Sequence, residues 1–452
     1  MKANERRQMS TFQKIFKTII SIIVIAFQLF FYYMVFFGIN KYPIIVAVVE
    51  VIAVISVYYI YNSHQNASYK LSWVIFILVV PVFGEMCYLF FGNGRSLPKR
   101  KVKELYSKVG TQVITKHEIL ALKDKDIEVY KNMELLSKLS NMQCHKNTEC
   151  KFFNDAKLKH QALIDDLKSA EKYIFLEYFI ISEGKLLEEL KTIITEKSKQ
   201  GVEVKIIYDD IGSAPSLKKK TVKYFDALPN VDMVAYNPMN ANISLAINFR
   251  DHRKIAIIDG KVAYVGGDNL ADEYIHEKIK YGLWRDNAVR LSGDAVKNFI
   301  QMFIHMYYMT TKVLLNQANY EVKTDIVNDS LHCPFGDGPV NPLHPAYNLI
   351  ESLASNAQKY LYISTPYLII DKEFINRIAS AAISGIDVRI LVPKIPDKKM
   401  VFKMTRAHYG DLLKVGVKIY EYTAGFNHAK NIIVDDKMAI IGTINIDYRS
   451  LL

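Results

Sequence analysis

Two short stretches of this chain repeat one pattern of chemically capable residues. The first is His252-Arg253-Lys254-Ile255-Ala256-Ile257-Ile258-Asp259, and the second is His428-Ala429-Lys430-Asn431-Ile432-Ile433-Val434-Asp435. Each leads, at the same spacing, to an asparagine: Asn269 after Gly266-Gly267, and Asn445 after Gly442-Thr443. Residues two apart on a strand project from one face, so each histidine lies beside its lysine. Two such pairs suit phosphodiester chemistry. One histidine attacks phosphorus and becomes a covalent phosphohistidine; the other protonates the leaving alkoxide, then deprotonates an incoming alcohol. Lys254, Lys430, Asn269 and Asn445 would hold the non-bridging oxygens and offset developing charge. The lysines supply the positive field, so the pattern calls for no metal and no cofactor. No Gly-rich phosphate loop accompanies it, which argues against an ATP-driven reaction. Asp259-Gly260 reads as a tight hairpin turn, a structural role for Asp259 rather than a proton-carrying one. Two ordinary strands with turn-forming aspartates, Asp259 and Asp435, would not explain why the whole pattern recurs.

The elements that must position these residues recur as well. In one half a helix around Leu158 to Ala170 leads to a strand over Tyr173 to Ile180, a helix through Leu186 to Ser198, and an alternating strand over Gly201 to Tyr208. In the other a helix near Tyr347 to Ala357 leads to Tyr360 to Tyr367, a helix through Phe374 to Ser384, and Gly385 to Val392. Alternating strands and helices predict α/β halves with mainly parallel sheets. The halves are expected over 130–311 and 343–452, joined by a linker over 312–342 that ends in a Pro/Gly cluster.

The first 105 residues differ in composition. Ile19 to Gly38 is uncharged and apolar, Pro43 to Tyr61 carries only Glu50, and Leu71 to Gly92 is interrupted by Pro81, Gly84 and Glu85. Soluble helices rarely stay apolar all round for so long, so the first two read as membrane spans. Lysine and arginine placement orients them. With two spans, Lys2, Arg6, Arg7, Lys14, Lys17, Lys70 and the basic run from Arg95 to Lys103 share one side, leaving Lys41 on the other. The positive-inside rule then makes 71–92 a re-entrant or interfacial element and the rest of the chain cytoplasmic. Cys87, Cys144, Cys150 and Cys333 show no paired spacing, which fits a reducing compartment. Cys144, His145 and Cys150 lack the fourth ligand that a structural zinc needs. A net charge of +12 calls for an anionic partner. The spans make that partner anionic lipid rather than nucleic acid, and disfavour a nuclease. Basic clusters at Lys218 to Lys220 and at Lys398, Lys399, Lys403 and Arg406 face either lipid or solvent.

The paired motifs resemble those of the phospholipase D superfamily. Together with the apolar N-terminal segments, Lys70 to Trp73, Pro81 to Gly84, Thr365-Pro366-Tyr367, Trp284-Arg285-Asp286 and Asp447-Tyr448-Arg449-Ser450, they are similar to bacterial cardiolipin synthases. The resemblance covers the chain from about Thr18. It implies two tandem α/β/α halves with pseudo-two-fold symmetry, preceded by transmembrane helices. It implies that two phosphatidylglycerols give cardiolipin and glycerol through a phosphatidyl-histidine, with plain phospholipase D hydrolysis or another phosphatidyl transfer by the same histidines as the alternative. It implies a site between the halves, and a role for Asp286 in orienting His252 by accepting its second ring proton. The family continues past the point matching Leu452 with an Asn-Phe-Glu segment. On this reading the second half is incomplete and His428 lacks its carboxylate, which leaves an inactive product as a further alternative.

Overall fold

The computed structural model describes residues 43–63, 65–92, 99–110, 117–238, 250–338, 341 and 343–451, with 26, 28–30, 32 and 33. The chain divides into two compact units, one running to Arg95 and the other built from Ser96–Asn237 and Arg250–Leu452.

In the N-terminal unit the helix Pro43–Tyr61 is 19 residues long and apolar apart from Glu50 and a few polar residues. Only Val46, Ala53 and Ile60 are buried. Nineteen residues at 1.5 Å each are enough to cross a hydrocarbon core. The expected span over 19–38 lies almost wholly outside the described residues. The third apolar segment is two helices, Ala67–Val79 and Pro81–Phe91, broken where Pro81 starts the second. A proline cannot continue the first helix but suits the first turn of the next. The second helix folds back on the first, with Trp73 edge-on to Tyr88 at 5.3 Å between ring centres. Gly84 permits that approach: a Cβ there would stand 2.9 Å from the backbone of Phe76 and Ile77.

The larger unit holds both motif-bearing halves. In the first, strands β1 (Thr148–Phe153), β2 (Tyr173–Tyr178), β3 (Glu203–Asp209), β4 (Val231–Tyr236), β5 (Lys254–Ile258), β6 (Val262–Gly266) and β7 (Ala288–Gly293) form one sheet in the order β1-β7-β6-β5-β2-β3-β4. In the second, β8 (Tyr360–Ser364), β10 (Asp387–Pro393), β11 (Lys418–Tyr422), β12 (Asn431–Val434) and β13 (Met438–Ile441) form a sheet in the order β11-β10-β8-β12-β13. The short strands β9 (Leu368–Ile369) and β14 (Ile446–Asp447) pair separately. The order β4-β3-β2-β5-β6 recurs as β11-β10-β8-β12-β13, which is the internal repeat in space.

The sheets are mixed rather than mainly parallel. Strands β2, β3 and β4 are parallel, but β5, β6, β7 and β1 all pair antiparallel. The motif strands are joined by tight hairpins, which only antiparallel pairing allows. Two-sided burial explains the apolar runs: every residue of β2 and of β5 is buried. On the faces of the first sheet lie the helices Ala156–Ser169, Lys185–Lys199 and Val296–Thr311. Their inward residues, including Leu163, Leu190 and Phe303, build its two cores. The helix Ile127–Ser140 precedes the first half in sequence yet packs on the second, where Leu136 joins the core and Ser352 Oγ donates to Asn132 Oδ1 at 2.6 Å.

Candidate active site

The two motif hairpins place their ends far apart. Lys254 opens β5 and Lys430 directly precedes β12, so both lysines stand at one end of their sheets. At the other end, Asp259 and Gly260 turn with φ of 53° and 67°, and Asp435 and Asp436 with φ of 56° and 58°. Asp259 accepts backbone N–H bonds from Glu171, Lys172 and Tyr173 at 2.8–2.9 Å. Asp435 does the same for Gln358, Lys359 and Tyr360 at 2.7–2.8 Å. Each aspartate thus ties its hairpin to the start of the neighbouring strand. The five-residue step from Lys254 to Asp259 puts that carboxylate about 16 Å from the lysine end.

At the lysine end the halves interlock. Arg285 accepts the His428 backbone N–H at 2.7 Å, and the Arg285 N–H donates to Phe426 at 2.9 Å. His252 Nδ1 lies 3.1 Å from the Thr443 carbonyl oxygen. Lys254 Nζ donates to the His252 carbonyl at 2.5 Å, and Lys430 Nζ donates to the His428 carbonyl. The expectation for Asp286 is corrected here. Its Oδ2 lies 2.7 Å from Nδ1 of His428, not of His252, so the carboxylate of the first half serves the histidine of the second. His428 therefore has the carboxylate that sequence reading denied it. The reading paired residues within a half, whereas strand ends that meet across the interface pair between halves. Gly267 makes the arrangement fit, since a Cβ there would stand 2.2 Å from Asp286 Oδ1.

The hydrogen bonds fix protons. A carbonyl oxygen only accepts, so His252 carries a proton on Nδ1. Asp286 is 2% exposed, and burial pushes its carboxyl up to about 8. Burial, then Lys430, Lys254 and His252, disfavours a free His428 imidazolium. The pair accordingly holds one proton on the bond between them. In that state Nδ1 of a neutral His428 accepts from the Asp286 hydroxyl, which leaves a proton on Nε2.

Both lysines are buried. Burial, followed by Lys430, holds Lys254 well below the usual lysine range; burial lowers Lys430 to about 8. Two desolvated cations this close favour an anion between them. The asparagines differ. Asn269 Oδ1 accepts from the Ile180 N–H at 3.0 Å and its Nδ2 donates to Tyr274 Oη at 2.8 Å, so part of its amide supports the fold. Asn445 is buried, and its Oδ1 has no hydrogen-bond partner among the described residues.

Residues outside the motifs complete the surroundings. Tyr274, Trp284 and Phe426 stand 5.5–5.7 Å from the His428 ring, centre to centre. This apolar wall keeps water from the imidazole and strengthens every charge interaction beside it. Behind Asn269, buried Lys159 pairs with Asp268 at 2.7 Å, and His160 lies 3.1 Å from the same carboxylate. Trp284 stands out in sequence because it sits two residues before Asp286. Tyr274, Phe426, Lys159 and the Thr443 carbonyl carry no spacing that would mark them.

Comparison with known proteins now becomes informative. Residues 163–307 and 350–452 match a family model described as cardiolipin synthase, PLD-like domain. The chain is 35% identical over 402 residues to "Cardiolipin synthase 2" of Bacillus anthracis, covering 86% of this chain and 77% of that protein. The chain belongs to the cardiolipin synthase family of phospholipase D-like proteins. Another relative, the major cardiolipin synthase of Bacillus subtilis, is 32% identical over 410 residues, covering 86% of this chain and 83% of its own length. Residues 51–93 match a phospholipase D-nuclease N-terminal model. Among solved structures, a phosphatidylserine synthase from Haemophilus influenzae has the same fold, with a TM-score of 0.52 and 17% identity over 71% of this chain and 84% of that one.

Proposed function

We propose that this protein makes cardiolipin by moving a phosphatidyl group from one phosphatidylglycerol to another and releasing glycerol. The observation that carries the reading is the pair of histidines, each hydrogen-bonded through its carbonyl to a buried lysine, with Asp286 of one half on His428 of the other. His252 Nε2 attacks phosphorus, and the P–O bond to glycerol breaks as His428 Nε2 gives its proton to the leaving oxygen. The phosphate stays on His252 as a phosphatidyl-histidine. The glycerol headgroup of a second phosphatidylglycerol then loses its hydroxyl proton to His428 and attacks, restoring both histidines. Lys254 and Lys430 regain full charge against the non-bridging oxygens, and Asn269 and Asn445 have N–H groups to add. The membrane side of the proposal is a two-span anchor with the second span at Pro43–Tyr61, the broken helix pair over 71–92 dipping into one leaflet, and both halves cytoplasmic.

The test uses membrane-embedded protein and phosphatidylglycerol alone. Cardiolipin and glycerol should appear in equal amounts, while phosphatidic acid in their place would mean plain hydrolysis. Quenching in denaturant at mildly alkaline pH, where a phosphohistidine survives, should trap lipid on the wild type and on His428→Ala but not on His252→Ala. The reverse pattern would exchange the two roles.

A further inference from the structure

We propose that two segments flanking His428, residues 278–285 and 394–404, form a lip that inserts into the anionic lipid surface. The proposal rests on the lipid-transfer reading but is tested apart from it. Ile279 is 91% exposed and Leu283 50%, though both are large aliphatic side chains. On the other segment Met400 is 70% and Met404 50% exposed. Exposed lysines bracket both sets: Lys278 and Lys280 on the first, Lys394, Lys398, Lys399 and Lys403 on the second.

The segments meet at the site. The Leu283 backbone N–H donates to Ala424 at 3.0 Å, and the Phe426 N–H donates back to Leu283 at 3.2 Å. Lys398 Nζ stands 5.6 Å above the Tyr367 ring, whose centre is 6.5 Å from that of Phe426. Phe426 in turn packs on His428. Exposed large apolar side chains set among cations suit an anionic leaflet, whose phosphate groups lie at the depth where acyl chains begin. A nucleic acid would use the lysines and leave Ile279 and Met400 in water. The Lys218 to Lys220 run differs, because its apolar neighbours Leu217 and Val222 turn into the core. Seating the lip in a leaflet would let a headgroup enter beside Phe426 while its acyl chains remain in lipid.

The experiment places the full chain in nanodiscs of phosphatidylglycerol carrying a photoreactive group on its acyl chain, and maps the labelled peptides. Labels are expected on peptides containing Ile279–Leu283 and Met400–Met404 as well as on the N-terminal helices. Labels on those helices alone would overturn the lip, and equal labelling in uncharged phosphatidylcholine discs would overturn its charge selectivity. Neither outcome depends on turnover, so failure of the lip and failure of the catalytic reading remain distinct. In a second arm, Ile279→Glu with Met400→Glu should raise KM on vesicles about tenfold. Turnover of dissolved short-chain phosphatidylglycerol should stay within about twofold. Equal loss on both substrates would make these residues merely structural and sink the proposal.

Discussion

Asp286 carries a consequence that its position alone makes testable. Burial raises its carboxyl to about 8, so below that pH the Asp286–His428 pair holds one more proton than above it, and above it the remaining proton sits on Nδ1 and leaves Nε2 without one. Leaving-group protonation needs the His428 Nε2–H, so kcat/KM for phosphatidylglycerol should be level below that pH and fall as pH rises through it. An asparagine at this position can accept from Nδ1–H through its Oδ1, which strips Nε2 of its proton. Asp286→Asn should therefore lower kcat by about two to four orders of magnitude with little change in KM. A steady-state pH profile of both proteins checks this. An unchanged alkaline limb in the variant would place the titrating group elsewhere.

At the scale of elements, the repeated hairpins explain what sequence could and could not reveal. Their apolar runs, their Asp turns and the flanking helices were legible because each is a local property: periodicity, turn chemistry and a glycine ending the preceding helix, as at Gly201 and Gly385. The antiparallel half of each sheet was less legible, since pairing direction follows from how hairpins stack rather than from any single strand. The partner of Asp286 was hidden for a stronger reason. Its neighbour lies 142 residues away and across an interface, where no spacing rule applies. Asp259 and Asp435, which share the repeated motif with the histidines, sit at the hairpin turns. Asp259→Ala would leave three backbone N–H groups, the buried one of Tyr173 among them, without their acceptor and should cost about 2 kcal/mol of stability. Thermal denaturation in detergent should show the loss, and protein that stays folded should keep its KM. A large fall in kcat at unchanged melting temperature would return Asp259 to the chemistry.

For the whole molecule, the proposed topology depends on which side of the membrane the larger unit occupies. Cys150 is exposed on β1 and serves as a reporter. A membrane-impermeant maleimide should modify it in permeabilised cells and leave it unmodified in intact ones. Labelling of intact cells would reverse the orientation and with it the two-span count. The interlocking of the halves has a different kind of consequence, one of inheritance. A carboxylate on one repeat grips the imidazole on the other, so the copies are no longer separable units of descent. A recombination event that transplants only the second repeat from a relative also changes the group that Asp286 must hold. The join most exposed to failure in such a hybrid lies not in the linker but at the contact of Asp286 with His428, where Gly267 leaves the carboxylate no room to shift. Drift in either repeat is thus constrained by the other, and the pair must diverge together.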